Sequence, residues 1–202
     1  MPKKIIIVRH GETDWNRERA LQGHQDVPLN WQGYCQAKEA AGKLQHESFD
    51  AIFSSDLKRA HQTAMMIAAH KPQEILTTPL LRERYFGELE GVCFARQVKI
   101  APWIGGEPNE FHARIHNTSW IHREFRIETD EEMNKRIKKF CQERLSRFKN
   151  KKVAIVSHGG VIGMILLHFG VGLEFVKGKR IQNTEIFVLK KEKEKYRLEY
   201  EK

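Results

Sequence analysis

The chain has few cysteines, no long apolar run and no repeat or low-complexity linker. Its three cysteines, Cys35, Cys93 and Cys141, are odd in number and widely spaced, which argues against a disulfide framework and shows no metal-ligand spacing. The apolar stretch at residues 161–167 is too short to span a bilayer, and the one at residues 5–8 is too short for a signal-peptide core. We therefore expect a cytoplasmic protein without a membrane segment.

The composition is that of a folded, basic protein. Hydrophobic residues make up 40% and charged residues 30% of 202 residues, enough for one domain over residues 1–202 with a full core. The net charge of +9 favours anionic partners. A nucleic-acid partner is not expected, because the chain has no zinc-finger pattern and no aromatic-interleaved basic strand. The oligomeric state is left open.

Strand and helix patterns alternate along the chain. Apolar runs predict strands at residues 4–8, 51–53, 75–78 and 152–156, and a late hairpin from strands at 184–189 and 196–200. Helical spacing predicts helices at 32–44, 57–70 and 161–168, the second with Ser54, Ser55 and Asp56 as N-cap candidates. This order is typical of a three-layer α/β/α fold with a mainly parallel sheet and helices on both faces.

A further helix is predicted after Thr129, because Glu132 stands three positions on and forms a capping box with it. Its apolar stripe consists of Met133, Ile137, Phe140, Cys141, Leu145 and Phe148. Residues 93–127, by contrast, mix prolines and glycines with aromatic residues and predict an irregular, partly helical excursion. We expect its histidines and its aromatic residues Trp103, Phe111 and Trp120 to form a cap over the site mouth.

Polar side chains follow each of the predicted parallel strands. Arg9 and His10 come after the first strand, and Arg59 lies in the first turn of the helix after the second. Glu83 follows the third strand, with Arg84 beside it, and His158 follows the fourth, before two glycines and a helix start. Because ligands bind at the carboxyl ends of parallel strands, two arginines, two histidines and a glutamate are expected at one sheet edge.

A phosphoryl group is the ligand that suits this set. The arginine fork matches phosphate oxygens, and arginines with a second imidazole can supply the positive charge that a metal often provides. One histidine can act as nucleophile, since neutral imidazole is abundant near pH 7. A glutamate can protonate the departing alcohol and later deprotonate water. We therefore expect no metal and no other cofactor.

Five motifs resemble the histidine phosphatase superfamily, and its phosphoglycerate-mutase-like branch in particular. They are VRHGETDWN (residues 8–16), LQG (21–23), SSDLKRAHQTA (54–64), LRERYFGELEG (81–91) and VSHGG (156–160), in the order found in that family. They cover most of the chain except the excursion. RHG alone is moderately specific, whereas all five together are a strong match.

The resemblance implies a role for each matched residue. His10 would become phosphorylated, with one ring nitrogen held by a backbone carbonyl, and Glu83 would be the proton donor. Arg9, Arg59 and His158 would bind the phosphoryl oxygens. Substrate contacts would come from the matched positions Asn16, Gln22 and Gly23, and also Arg84.

Three departures from the mutases favour hydrolysis. Phe86 stands where the cofactor-dependent mutases have a tyrosine, and Phe94 where they have a lysine. The excursion also lacks their adjacent arginine pair, with only isolated Arg96, Arg114, Arg123 and Arg126. The sequence thus predicts a metal-independent phosphomonoesterase acting on a small phosphorylated metabolite. A phosphoglycerate-type mutase, supported by Arg84, and a non-catalytic phosphate-binding module remain alternatives.

Three histidines near the end of the excursion have a spacing that can bind a metal. His112 and His116 lie four residues apart, with His122 close behind, as zinc ligands on a helix can. No acidic third ligand stands at a recognisable spacing, so a zinc site is not expected.

Overall fold

The fold is built around one mixed β-sheet. The computed structural model describes residues 1–69, 71–93, 96, 99, 119–171 and 180–200. The strands are β1 (Lys4–Arg9), β2 (Ala51–Ser55), β3 (Ile75–Thr78), β4 (Lys152–Ser157), β5 (Ile186–Glu192) and β6 (Lys195–Tyr200). The helices are α1 (Asp14–Arg17), α2 (Trp31–Lys43), α3 (Lys58–Ala68), α4 (Ser119–Glu124), α5 (Asp130–Glu143) and α6 (Gly159–His168).

The sheet has the order β3-β2-β4-β1-β5-β6. Strands β3, β2, β4 and β1 run parallel, whereas β5 and β6 are antiparallel to their neighbours and form the expected hairpin. The mainly parallel sheet predicted from the alternating pattern is confirmed. Strand β1 therefore lies beside β4, although the two are separated by most of the chain.

Both faces of the sheet are covered, which accounts for the continuous apolar run of β1. Ile5 and Ile7 pack with α5 and α6 on one face, and Ile6 and Val8 pack with α2 and α3 on the other. A strand buried on both faces needs apolar side chains at every position. The three-layer α/β/α architecture is confirmed. No described helix is long and apolar enough to cross a membrane.

The N-cap predicted for α3 is wrong. The helix begins after Leu57, which makes no side-chain cap bond. Asp56 instead forms a two-bond ion pair with Arg82, at 2.6 and 2.8 Å, while Asp26 accepts the N–H of Lys58 at 2.6 Å. A carboxylate from a distant loop thus takes the place that the adjacent residues were expected to fill.

Two other local expectations are refined by the structure. The Thr129–Glu132 capping box is present, but α5 ends at Glu143, so Leu145 and Phe148 of the stripe lie in a separate 3-10 turn, Leu145–Phe148. Strand β5 continues through Glu192, which leaves a turn only at residues 193–194. The pairing of Lys190 with Glu199 across the hairpin keeps these polar residues in the sheet.

A third, smaller apolar cluster lies outside the two sheet faces. It joins residue 21 and the segment after β3 to α4 and the stretch between α4 and α5. Its members are Leu21, Phe86, Leu89, Val92, Ile121 and Ile127. Within the excursion, the structure describes residues 93, 96, 99 and 119–127. Helix α4 forms the first part of residues 119–127. The remaining residues of the expected cap, including Trp103 and Phe111, lie outside the described residues. Trp120 is exposed.

Candidate active site

The carboxyl ends of β1 and β4 place two imidazoles side by side. Arg9 is in register with Ser157, and the N–H of His10 donates to the Ser157 carbonyl at 2.9 Å. The rings of His10 and His158 consequently lie with their centroids 5.0 Å apart. Both side chains are buried, with His10 3% and His158 0% exposed.

One nitrogen of His10 is held by the backbone. Its Nδ1 lies 2.7 Å from the Gly11 carbonyl oxygen, an acceptor that requires a proton on Nδ1 and leaves the lone pair on Nε2. Burial lowers the pKa of His10 well below its usual value, and the positive charges of Arg59 and Arg9 lower it further. The ring is therefore a neutral base with Nε2 as its reactive atom.

His158 has the opposite arrangement of donor and acceptor. Its Nδ1 accepts the Nε–H of Arg59 at 3.2 Å, so the ring proton lies on Nε2, which is buried and has no hydrogen-bond partner. Burial, then Arg59 and His10, lower the pKa of His158. The neutral ring thus presents an unpaired N–H, and an anion is the ligand that such a donor suits.

Two buried guanidinium groups flank the histidines. Arg9 donates through Nη1 to the Ile181 carbonyl at 2.5 Å, and its buried Nε has no partner. Arg59 is 0% exposed and donates to the carbonyls of Gly23 at 2.7 Å and Gln25 at 2.9 Å. Burial lowers the pKa of each arginine to about 10, so both remain cationic at neutral pH.

Glu83 reaches the same edge from the segment after β3. Its Oε2 accepts the Gly160 N–H at 2.9 Å, and its Oε1 accepts the Arg84 N–H at 2.8 Å. A Cβ on Gly160 would lie 2.4 Å from Oε1, so the glycine is required for this contact. A Cβ position at Gly159 lies 3.8 Å from Arg9 Nε and 4.0 Å from Glu83 Oε2, and, against the effect of burial, the negative charge of Glu83 raises the pKa of Arg9.

The residues expected to contact substrate divide into two groups. Gln22 is bonded to the Thr13 hydroxyl at 3.0 Å, and Asn16 donates to Gln22 at 3.3 Å. Gly23 contributes its carbonyl to Arg59. The guanidinium of Arg84 is bonded differently: it donates to the Glu128 carbonyl at 2.6 Å and pairs with Asp130, while its buried Nε has no partner among the described residues.

Sequence reasoning missed three supporting residues. The Thr63 hydroxyl accepts the Gly11 N–H at 3.1 Å, Asn183 donates to the His10 carbonyl at 3.0 Å, and Arg136 donates to the Glu83 carbonyl at 3.1 Å. Thr63 stands one turn after Arg59 on α3, a spacing that could have identified it. Asn183 and Arg136 reach the site only through the tertiary fold, so no local sequence pattern could have identified them.

Within residues 1–69, 71–93, 96, 99, 119–171 and 180–200, no three His, Cys, Asp or Glu side chains are grouped as a metal site would require. His112 and His116 lie outside these ranges. His122 is buried, and neither of its ring nitrogens has a partner.

Comparison with known proteins identifies the family. The model of the histidine phosphatase superfamily (branch 1) matches residues 5–201. The chain belongs to this superfamily. It is 37% identical to phosphoglycerate mutase-like protein 4 of Arabidopsis thaliana, covering 79% of this chain and 67% of that protein. It is 31% identical to the uncharacterized phosphatase PhoE of Bacillus subtilis, covering 96% and 91%.

A third relative and two solved structures extend the comparison. The metal-independent phosphoserine phosphatase of Arabidopsis thaliana is 33% identical, over 81% of this chain and 67% of that one. Phosphoserine phosphatase of Entamoeba histolytica, solved with 3-phosphoglyceric acid, superposes with a TM-score of 0.74 at 26% identity, covering 98% and 95%. Phosphoglycerate mutase of Bacillus anthracis shares the fold, with a TM-score of 0.82 at 23% identity, covering 98% and 91%. The family, the fold and the phosphatase class predicted from the motifs are confirmed.

Proposed function

We propose that this histidine phosphatase hydrolyses small phosphomonoesters without a metal, through a phosphohistidine on His10. The observation that carries the proposal is the pair of facing imidazoles with opposite proton arrangements, His10 with a free Nε2 lone pair and His158 with an unpaired Nε2–H. One ring can attack phosphorus while the other donates to a phosphoryl oxygen. Arg9 and Arg59 supply the positive charge around the same group.

The reaction proceeds in two displacements. His10 Nε2 attacks phosphorus in line, the P–N bond forms as the ester P–O bond breaks, and Glu83 gives its proton to the leaving oxygen. Water then attacks the phosphohistidine, Glu83 takes the proton, and the P–N bond breaks to release phosphate. Each oxygen of Glu83 accepts one backbone N–H and keeps a second lone pair for the transferred proton.

A cavity of about 1090 Å³, which His24 connects to the Glu83 backbone, is the proposed place of the leaving group. His24 lines it, with Nε2 2.9 Å from the Glu83 carbonyl, and so does Tyr85. Arg123 and Arg126 also line it, and neither forms an ion pair within the described residues.

Arg123 and Arg126 supply the positive charge that could bind an anionic leaving group in this cavity. Four carboxylates line it as well. Glu128 and Asp130 are paired with Arg136 and Arg84, Glu132 accepts the Thr129 N–H, and Glu131 is exposed. His122 presents two buried nitrogens without partners. The Arabidopsis relative is named for phosphoserine, and the Entamoeba structure holds 3-phosphoglyceric acid; both ligands carry a carboxylate. We therefore propose phosphomonoesters of small carboxylic acids as the substrate class.

The mutase alternative has less support from the side chains. Arg84, the residue that favoured it, is bonded to Glu128 and Asp130. Phe86, which stands at the position of the mutase tyrosine, is buried in the third apolar cluster.

The test measures phosphate release together with the covalent intermediate, without added metal. The wild type should release phosphate from phosphoserine and 3-phosphoglycerate with a kcat/KM at least about tenfold above that for phenyl phosphate, which lacks a carboxylate. Label from a radioactive substrate should remain on the quenched protein as an acid-labile, alkali-stable adduct, and His10→Ala should show neither adduct nor turnover.

Each competing function gives a different result in this test. A mutase interconverts phosphoglycerate isomers without releasing phosphate. A non-catalytic module binds the esters and never becomes labelled. Equal kcat/KM values for the carboxylate esters and phenyl phosphate would contradict the substrate class while leaving the phosphatase function intact.

A further inference from the structure

Glu90 binds three backbone N–H groups with one carboxylate. Its Oε1 accepts from His24 at 2.7 Å and from Phe86 at 3.2 Å, and its Oε2 accepts from Gln25 at 2.7 Å. A carboxylate accepting several N–H bonds is a strong anchor, because each bond is charge-assisted. Glu90 therefore ties residues 21–26, which we call the QG loop, to the segment that carries Glu83.

The fit between Glu90 and the QG loop is close. A Cβ on Gly23 would lie 2.1 Å from Glu90 Oε1 and 2.6 Å from the Arg84 carbonyl oxygen. Only glycine can stand at this position without displacing one of the two segments. The position of the loop is thus coupled to the position of the Glu90 carboxylate.

The QG loop in turn holds Arg59. The carbonyls of Gly23 and Gln25 accept from Nη2 and Nη1 of Arg59 at 2.7 and 2.9 Å, which fixes the plane of the guanidinium. Its third bonded donor, Nε, lies 3.2 Å from Nδ1 of His158. The loop carbonyls therefore determine the position of Arg59 Nε, the donor that keeps the proton of His158 on Nε2.

The same loop also reaches the proton donor. His24 Nε2 lies 2.9 Å from the Glu83 carbonyl, which also receives Arg136 Nη2 at 3.1 Å. The QG loop is consequently bonded to Glu83 on one side and to Arg59 on the other. No hydrogen bond joins Glu90 to Arg59 or Glu83, but two of its three bonds, to His24 and Gln25, hold the loop that is bonded to both, and the third holds Phe86.

We propose that Glu90 is a positioning residue for phosphoryl transfer. Its carboxylate sets the QG loop, and the loop sets both the tautomer of His158 and the placement of Glu83. In-line transfer depends on such positioning, since a misplacement of about 1 Å can cost on the order of 100-fold in rate. This inference rests on the proposed phosphatase function and adds a residue that does not contact the reacting atoms.

The test compares Glu90→Gln with Glu88→Gln. An amide has one acceptor oxygen, so Glu90→Gln cannot accept the Gln25 N–H and keep its other two bonds. We expect kcat to fall roughly 10- to 100-fold and KM to rise as well, because the QG loop contains Gln22 and Gly23, which are expected to contact the substrate. Glu88 is exposed in the same 3-10 turn, Gly87–Leu89, so Glu88→Gln makes the same chemical change and should keep the wild-type kcat.

A spectroscopic measurement separates positioning from general destabilisation. In the wild type, ¹⁵N chemical shifts of the His158 ring should report a protonated Nε2 and a bare Nδ1. In Glu90→Gln they should move toward a mixture of ring forms. A role in folding alone would lower the melting temperature while leaving these shifts and the kcat of the folded fraction unchanged.

Two outcomes would overturn the inference. One is a wild-type kcat in Glu90→Gln; the other is a reduced kcat with the His158 signals unaltered. If Glu90→Gln does not fold, Glu90→Asp, which keeps the charge but withdraws the carboxylate by one methylene, is subjected to the same comparison. Absence of phosphate release by the wild type from every ester would instead contradict the proposed function itself.

Discussion

At the scale of single residues, Arg59 combines full burial with a positive charge. An unpaired buried charge is costly, so its donors must be satisfied. Three of its N–H groups bond to Gly23, Gln25 and His158, and the nearby carboxylate of Glu83 favours its charged form. The guanidinium has five N–H groups, and a phosphoryl group would accept from the two that remain.

Glu83→Gln tests the role of the proton donor. The amide keeps the size of the side chain but has no proton of comparable acidity to give, so turnover of alkyl phosphates should fall roughly 10²–10⁴-fold. The loss should be much smaller for p-nitrophenyl phosphate, whose leaving group hardly needs protonation. Steady-state kcat on both substrates is the measurement, and an equal loss on both would remove Glu83 from the acid role.

The site residues differ in how far the sequence could predict them. Arg9, His10 and His158 follow buried strands directly, so their meeting at one edge depends only on sheet order. Only motif spacing identified Glu83, rather than Glu90, as the candidate proton donor. In the structure the Glu90 carboxylate is bonded to three backbone N–H groups. The partners of Arg84 lie about 45 residues further along the chain, at Glu128 and Asp130, beyond the reach of any local pattern.

At the scale of elements, the turn after β1 is packed against the start of α2. A Cβ on Gly33 would lie 1.9 Å from the Glu12 carbonyl oxygen, and one on Gly11 would lie 2.3 Å from the Gly33 carbonyl oxygen. The two glycines permit a backbone contact that no larger residue allows. Because the Gly11 carbonyl also holds His10 Nδ1, this contact positions the nucleophile.

Alanine substitution should have opposite effects on protein stability at the two glycines of α2. Gly33→Ala should destabilise by at least about 1–3 kcal/mol, since its Cβ has no room, and should lower kcat by moving Gly11. Gly42→Ala meets no atom within 4 Å and should stabilise by about 0.5–1 kcal/mol through helix propensity. Urea unfolding of both variants is the measurement. An unchanged free energy of unfolding in Gly33→Ala would show that the turn can shift to make room for the Cβ.

The elements themselves were largely predictable, and their ends were not. Apolar runs identified β1 and β4 because both of their faces are buried, and the capping box located the start of α5. The start of α3 agrees with the prediction to within one residue, but its cap does not, because the Lys58 N–H is bonded by Asp26, more than 30 residues away along the chain. Element ends depend on such tertiary partners, whereas element interiors depend on local periodicity.

At the scale of the whole molecule, folding removes several histidines from water. Burial is the largest cause that lowers the pKa of His10 and His158 well below the usual value, and it also lowers those of His24 and His168. In the unfolded chain these rings bind protons below about pH 6.5. The unfolded state therefore binds more protons than the folded state as the pH falls.

The free energy of unfolding should decrease on mild acidification. Each histidine that stays neutral in the folded state costs up to about 1.4 kcal/mol per pH unit below 6.5, so stability should fall between pH 7 and pH 5. Urea unfolding at a series of pH values measures this slope. His10→Asn, with one buried imidazole fewer, should show a shallower slope, and a stability that is flat or rises in acid would contradict the assignment.

The sheet order also governs when the protein can assemble during its synthesis. Strand β1 leaves the ribosome first, yet both of its neighbours, β4 and β5, come from residues 152–192. A nascent chain that stops short of them exposes four consecutive apolar side chains with no strand on either edge. Chaperone demand should therefore last until β4 and β5 have been synthesised, and the enzyme gains its catalytic pair only when its fold closes.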